Sequence, residues 1–217
     1  MNRTAYYEQI KQLAHQVRGT YDVTTSQISL STIRAICRGE SIHIDYWKPK
    51  LKRVRAAYCL VDGESCVLLN DRIKPKEPRI FALCHELKHH FADEELAQAG
   101  NFGCQDVSWE DDSPIEIGAE IFAAEFIFPE NEFLSLVHDL SLDRNCCAED
   151  VVRLKRASPA PVSYTFLRKR LQWFGFTEPG QFRDVQFQKL EEQIHGVPFY
   201  RVINPRRRLK ASRKRVS

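Results

Sequence analysis

The chain has 217 residues, 43% of them hydrophobic, and a formal net charge of +3. This length suffices for one large domain, or a domain with a small appendage. No apolar run approaches the roughly 20 residues of a membrane-spanning helix, and the polar amino terminus lacks a signal peptide's apolar core. The seven cysteines show no CxxC spacing, which argues against a zinc ribbon and a secreted disulfide framework. We therefore expect a cytoplasmic protein in which most cysteines are buried thiols.

The amino-terminal part is predicted to contain two helices and then a short sheet. The dipeptide Asp62-Gly63 is a strong signal for a two-residue hairpin turn. Alternating or apolar runs on both sides of it indicate strands. The predicted helices cover residues 4–17 and 32–37, the second capped by Ser29 or Ser31. The predicted strands cover residues 42–47, 54–61 and 65–69.

The next predicted helix, over residues 78–91, carries the HExxH motif from His85 to His89. Histidines four residues apart share one helical face, so both imidazoles can bind one metal ion with Glu86 beside it as general base. The apolar residues lie on the other side, so the two histidines are expected to face a cleft or another element. A bare HExxH also arises by chance on polar helices, and its context therefore decides.

A catalytic zinc ion usually takes three protein ligands and a water molecule. The segment EIGAEIFAAEFIFP predicts a second helix from Glu116, which Pro129 ends. On this helix Glu116 and Glu120 share a face, whereas Glu125 lies on the opposite side and is expected to meet solvent. Glu116 is the preferred third ligand. Glu120 is a candidate to orient a ligand imidazole, although such a residue taken alone is more often a surface or salt-bridge group.

Together these two motifs resemble those of the ImmA/IrrE metallopeptidases of bacteria and their mobile elements. The second motif of that family reads E-x-x-A-x-x-F-A-x-x-(L/I)-x-x-P, and the resemblance covers residues 28–174. The chain departs from the family at Gly118, where an acidic residue is frequent, and at Glu120, where Asn or Asp is frequent. The matching residues of the second motif are Glu116, Ala119, Phe122, Ala123, Phe126 or Ile127, and Pro129.

The resemblance implies an α+β protein with a zincin-like, gluzincin-type core, in which a small sheet packs on the HExxH helix and a helical carboxy-terminal region follows. It implies a zinc-dependent endopeptidase with Glu86 as catalytic base. One zinc ion, or another divalent metal, would be held by His85, His89 and Glu116. The typical substrates of the family are helix-turn-helix repressors, whose cleavage switches on stress-response or mobile-element genes. Two other classes stay open: a non-cleaving regulator that binds a repressor or DNA, and the toxin of a toxin–antitoxin pair.

The carboxy-terminal part is predicted to be helical and to end in a basic tail. Three domains are expected, a metallopeptidase core over 1–129, a helical subdomain over 130–204 and the tail over 205–217. A loop over 99–114 is expected to rim the cleft between the two motif helices. The further predicted helices cover residues 131–142, 148–157 and 163–174.

The tail carries seven basic residues and no acidic one. Subtracting those seven charges from the net charge of +3 leaves −4 for the rest of the chain. Such a tail is expected to be disordered and to bind nucleic acid or an acidic partner weakly, without sequence preference. Its basic residues are Arg206, Arg207, Arg208, Lys210, Arg213, Lys214 and Arg215.

Overall fold

A computed structural model gives the structure of residues 2–48, 55–98 and 113–196. Within these ranges the protein is mixed α+β, as the sequence predicted. The tail, and all but the last two residues of the predicted 99–114 loop, lie outside the described residues. The helices are α1 (Arg3–Thr20), α2 (Leu30–Gly39), α3 (Lys76–Gln98), α4 (Pro114–Ile127), α5 (Glu130–Asp139), α6 (Ala148–Ala157), α7 (Tyr164–Trp173) and α8 (Phe187–His195). The strands are β1 (His43–Trp47), β2 (Ala56–Val61) and β3 (Glu64–Asn70).

The chain divides into two compact units. The first comprises Met1–Phe133 with Pro159–Val162, and the second comprises Leu134–Ser158 with Ser163–Ser217. The first unit therefore contains the sheet and both motif helices. Among the described helices, none is long and apolar enough to cross a membrane.

The sheet has the strand order β1-β3-β2, with β1 parallel and β2 antiparallel to β3. The predicted hairpin is confirmed, because Asp62 and Gly63 connect β2 to β3 with φ values of 53° and 82°. Positive φ at both positions is what a twisted two-residue hairpin requires. One face of the sheet packs on α3, where the Tyr58 hydroxyl lies 3.2 Å from His90 Nδ1. His90 thus packs against the sheet.

Helix α3 is longer and more deeply buried than its apolar pattern suggests. It begins before Pro78, which is tolerated in a first turn because its missing N–H would have no helical partner there. It continues beyond Phe91, where the predicted helix stopped, and so includes Asp93. Every residue from 82 to 89 is buried, polar and apolar alike. The polar side of the motif helix therefore faces other elements.

Helix α4 packs against both α1 and α3. The Ser113 side chain caps it by accepting a hydrogen bond from the Glu116 N–H at 3.2 Å. Small residues allow the close approach to its neighbours. A Cβ atom at Gly118 would lie 2.7 Å from the Tyr6 hydroxyl, so glycine leaves room for α1 at this point.

The expectation that Glu125 meets solvent is wrong. Its side chain is 2% exposed, and Oε1 accepts a hydrogen bond from the Glu130 N–H at 2.9 Å. His15 of α1 lies 3.1 Å from the same oxygen. The physical reason is that α1 covers this side of α4, with Arg18 Nη1 donating to the Phe126 carbonyl at 2.6 Å. Nothing in the periodicity of α4 indicates that a helix more than 100 residues earlier packs there.

The second unit has its own core around α6, α7 and α8. Glu191 of α8 is buried and accepts a hydrogen bond from the Tyr164 hydroxyl at 2.9 Å. Arg156 Nη1 lies 3.3 Å from the other Glu191 oxygen, which compensates the buried charge. Tyr164 also stacks on Phe187, with ring centroids 4.8 Å apart. These contacts join the three helices of this unit.

Candidate metal centre

His85, His89 and Glu116 converge at the contact between α3 and α4. Each offers one potential ligand atom, and these atoms all lie within 4.8 Å of one another. His85 Nε2 is 3.1 Å from Glu116 Oε2, and His89 Nε2 is 3.5 Å from Glu116 Oε1. The two imidazole rings lie 5.2 Å apart. Two nitrogens from one helix and a carboxylate from the next thus surround one point.

The His85 and Glu116 pair is organised as an ion pair. Burial acts to lower the pKa of His85, but the hydrogen bond to Glu116 and the nearby carboxylates outweigh it and raise the pKa. Burial acts to raise the pKa of Glu116, but the hydrogen bond to His85 and the charge of His89 outweigh it and lower the pKa. Because a metal ion binds neutral imidazole and ionised carboxylate, metal binding would release the proton that joins this pair.

Glu86 lies beside this cluster and is held by the sheet. Its side chain is buried, and Oε2 accepts a hydrogen bond from the Tyr58 N–H of β2 at 2.8 Å. Burial raises the pKa of Glu86, and the charges of His85 and His89 only partly offset this effect. A carboxylate beside the metal site whose pKa is raised above its usual range can both accept and return a proton, as a general base must.

Asp93 is a residue of the site that the sequence interpretation missed. His89 Nδ1 donates to Asp93 Oδ2 at 2.7 Å, which leaves Nε2 directed at Glu116. A carboxylate behind a ligand imidazole fixes the ring's tautomer and orientation. The signal was available, because Asp93 follows His89 by four residues on the same helical face. It was overlooked because the predicted helix ended at Phe91.

Lys88 binds two groups that position potential metal ligands, one next to His89 and one next to Glu116. Its side chain is 0% exposed, and Nζ donates to Asp93 Oδ2 at 2.5 Å and to the Ile115 carbonyl at 3.1 Å. Burial lowers the pKa of Lys88, and the hydrogen bond and charge of Asp93 oppose that shift. One buried cation thereby holds the carboxylate behind His89 and the backbone just before Glu116.

Replacing Lys88 by methionine is expected to destabilise the metal-free protein by about 3–5 kcal/mol, because it leaves the buried Asp93 without its cation. The double variant Lys88→Met with Asp93→Asn should be less destabilised than the single variant, since both buried charges are gone. Urea unfolding in the presence of a chelator measures both free energies without a contribution from metal binding. A single variant within about 1 kcal/mol of wild type would refute this role for the ion pair.

Glu120 lies one turn after Glu116 and is half-buried. Its charge is one of those that raise the pKa of His85. The predicted role of Glu120 in orienting an imidazole stays a prediction, and for His89 the carboxylate in that position belongs to Asp93. The basic residues from Arg206 to Arg215 lie outside the described part of the chain.

The geometry agrees with a comparison against protein families. The family model of the IrrE N-terminal-like domain, in the M78 peptidases, matches residues 41–171, more than half of the chain. The chain belongs to this family. Membership supports a metallopeptidase-type function, and the matched region contains the sheet, α3 and α4. A comparison with curated proteins gives no match.

Proposed function

We propose that this protein is a zinc-dependent endopeptidase that cleaves a helix-turn-helix transcriptional repressor and thereby derepresses stress-response or mobile-element genes. The observation that carries the peptidase assignment is the convergence of His85, His89 and Glu116 next to the buried Glu86. Hydrolytic zinc sites of this kind contain two imidazoles and one carboxylate as ligands, with a second carboxylate beside the metal as general base. The repressor as substrate rests on the family resemblance.

The three potential ligands fit a single zinc ion. Two nitrogens and one oxygen are donors that zinc accepts, and three protein ligands leave one coordination position for water or substrate. The same donors also accept other divalent metals. When bound, the ion would polarise the scissile carbonyl and lower the pKa of a water molecule.

Proton transfer is assigned to Glu86. Its carboxylate would accept the proton of the attacking water and return it to the leaving amine. The Tyr58 N–H binds one carboxylate oxygen and orients the side chain, so the other oxygen is available for the proton. Asp93 and Lys88 keep the His89 ring in place during this exchange. The chain therefore supplies the base Glu86, the Tyr58 N–H that orients it, and a hydrogen-bonded support for the ligand His89.

Strand β2 is the proposed docking edge for the substrate. It lies at one edge of the described sheet, and an extended peptide can extend a sheet by backbone hydrogen bonds. The same strand anchors Glu86 through Tyr58. A peptide paired with β2 would therefore run beside the proposed base.

The test is to incubate the zinc-loaded protein with the purified product of an adjacent gene that encodes a helix-turn-helix protein. A discrete cut, found by mass spectrometry in wild type and absent in Glu86→Gln, is the expected result. A stable complex without a cut would favour the non-cleaving regulator. Inhibition of growth without any repressor cleavage, relieved by a neighbouring gene product, would favour the toxin.

Deleting residues 205–217 is expected to leave cleavage of a short peptide within about twofold of wild type, because all proposed site residues lie before the tail. The deletion should also weaken binding to a DNA duplex and reduce its salt dependence, since seven positive charges are removed. Fluorescence anisotropy at several salt concentrations measures the binding. Loss of zinc or of short-peptide cleavage in the truncated protein would place the tail in the catalytic unit.

A further inference from the structure

Cys59 of β2 and Cys66 of β3 lie directly opposite each other in the antiparallel hairpin. Both are thiols, and both are half-buried. Directly opposed residues of such a pair have Cα atoms about 4.5–5.5 Å apart and side chains on the same face of the sheet. A disulfide needs Cα atoms about 4.4–6.8 Å apart. The strand register therefore places these two residues at a Cα separation that a disulfide can span.

Three of the other four described cysteines are less suited to oxidation. Cys37, Cys84 and Cys146 are buried, and burial raises the pKa of Cys37 to about 11 and that of Cys146 to about 12. The thiolate is the reactive form, so such thiols react slowly. Three of the six described cysteines are buried and Cys104 lies outside the described residues, so the expectation that most of the seven are buried stays a prediction. Cys59 and Cys66 differ from the buried cysteines because solvent reaches both of them and the strand register places them opposite each other.

We propose that Cys59 and Cys66 form a redox site that closes to a disulfide when the protein meets a peroxide. One thiolate attacks a peroxide oxygen, which gives a sulfenic acid and releases water after protonation. The second thiol then attacks the sulfenic sulfur, and a second water leaves as the S–S bond forms. Two thiols lose two electrons and two protons in total, and hydrogen peroxide is reduced to two water molecules. A dithiol reductant reverses the step by exchange.

The site acts on the strand that anchors the proposed catalytic base. Tyr58, which donates to Glu86 Oε2, immediately precedes Cys59. Consecutive residues of a strand face opposite sides, and Tyr58 faces His90 of α3, so the two cysteines lie on the face turned away from α3. A disulfide there ties β2 to β3 without entering the metal centre. This link to catalysis rests on the proposed function, whereas formation of the disulfide does not.

The experiment treats the full-length, zinc-loaded protein with hydrogen peroxide and maps disulfides by mass spectrometry before and after reduction. Wild type should lose two hydrogens and yield a Cys59–Cys66 cross-linked peptide that a dithiol removes. Cys59→Ser and Cys66→Ser should not form it, and the matched control Cys147→Ser, which removes an exposed thiol, should form it as wild type does. Over-oxidation of Cys59 or Cys66 without the cross-link, or a cross-link only between Cys146 and Cys147, would overturn the proposal.

Hydrogen exchange tests the effect on the strand separately from activity. Backbone amides of β2 and β3 should exchange at least about tenfold more slowly in oxidised wild type than in the reduced protein. The reason is that a disulfide between the strands restricts the opened state and so raises the free energy of local opening. The Cys59→Ser protein should show no such change with peroxide. Equal exchange in the oxidised and reduced wild type would refute the restraint on β2 even if the disulfide forms.

Discussion

Glu86→Gln is expected to lower kcat/KM for peptide cleavage by at least about 100-fold while the metal content stays unchanged, because an amide cannot accept the proton of the attacking water. The structure indicates that this substitution removes the base without displacing the side chain. The amide oxygen of glutamine can still accept the Tyr58 N–H, so the side chain should keep its place. Removing a buried carboxylate should also not reduce stability. Cleavage kinetics and elemental analysis on the same sample give both quantities.

Glu125→Gln provides a matched control. Glu125 is also buried, and it also accepts a backbone hydrogen bond, from the Glu130 N–H at 2.9 Å. It pairs with His15 of α1, and it is not one of the three residues of the candidate ligand group. Its variant should therefore cleave peptides within a few-fold of wild type. Activity of Glu86→Gln within that same range would remove Glu86 from the chemistry, and an equal loss in both variants would indicate a structural cause.

The parts of the site that could be predicted are those whose geometry a single helix determines. The spacing of His85 and His89 places both imidazoles on one face of any helix, whatever surrounds it. In the same way, Glu116 lies at the start of α4 because Ser113 caps this helix and Pro114 is its first residue. Periodicity therefore identified which side chains share a face. It also identified the hairpin, because few dipeptides accept two consecutive positive φ values.

The parts that could not be predicted depend on contacts between distant segments. The hydrogen bond from Tyr58 to Glu86 exists because β2 packs beside α3, and no spacing within either element records that packing. Glu125 is buried because α1 covers it, although its own helix suggests a solvent-facing position. The burial of Lys88 could not be predicted for the same reason. A lysine inside a motif is expected at the surface, and only its contacts with Asp93 and the Ile115 carbonyl explain its full burial.

Alanine substitution of His85, His89 or Glu116 is expected to weaken zinc binding by more than about 100-fold for each residue. The reason is that each change removes one of only three protein donors, and even the loss of a supporting residue costs about 10–100-fold. Asp93→Ala should fall in that smaller range, since it leaves all three donors in place and removes the hydrogen-bond partner of the His89 ring and of Lys88. Competition with a chelating dye measures the four dissociation constants on one scale. Circular dichroism of each variant confirms that the fold is retained.

Glu120→Ala is the control that decides which carboxylate of α4 binds the metal. Glu116 and Glu120 are both half-buried glutamates one turn apart, so their removal should affect helix α4 similarly. Glu116 places its carboxylate oxygens 3.1 Å and 3.5 Å from the two imidazole Nε2 atoms, and it is the α4 carboxylate of the candidate ligand group. We therefore expect Glu120→Ala to retain zinc with an affinity within about tenfold of wild type. Full zinc occupancy in Glu116→Ala together with loss of zinc in Glu120→Ala would transfer the third-ligand role to Glu120, and α4 would then have to turn on metal binding to bring that carboxylate to the two histidines.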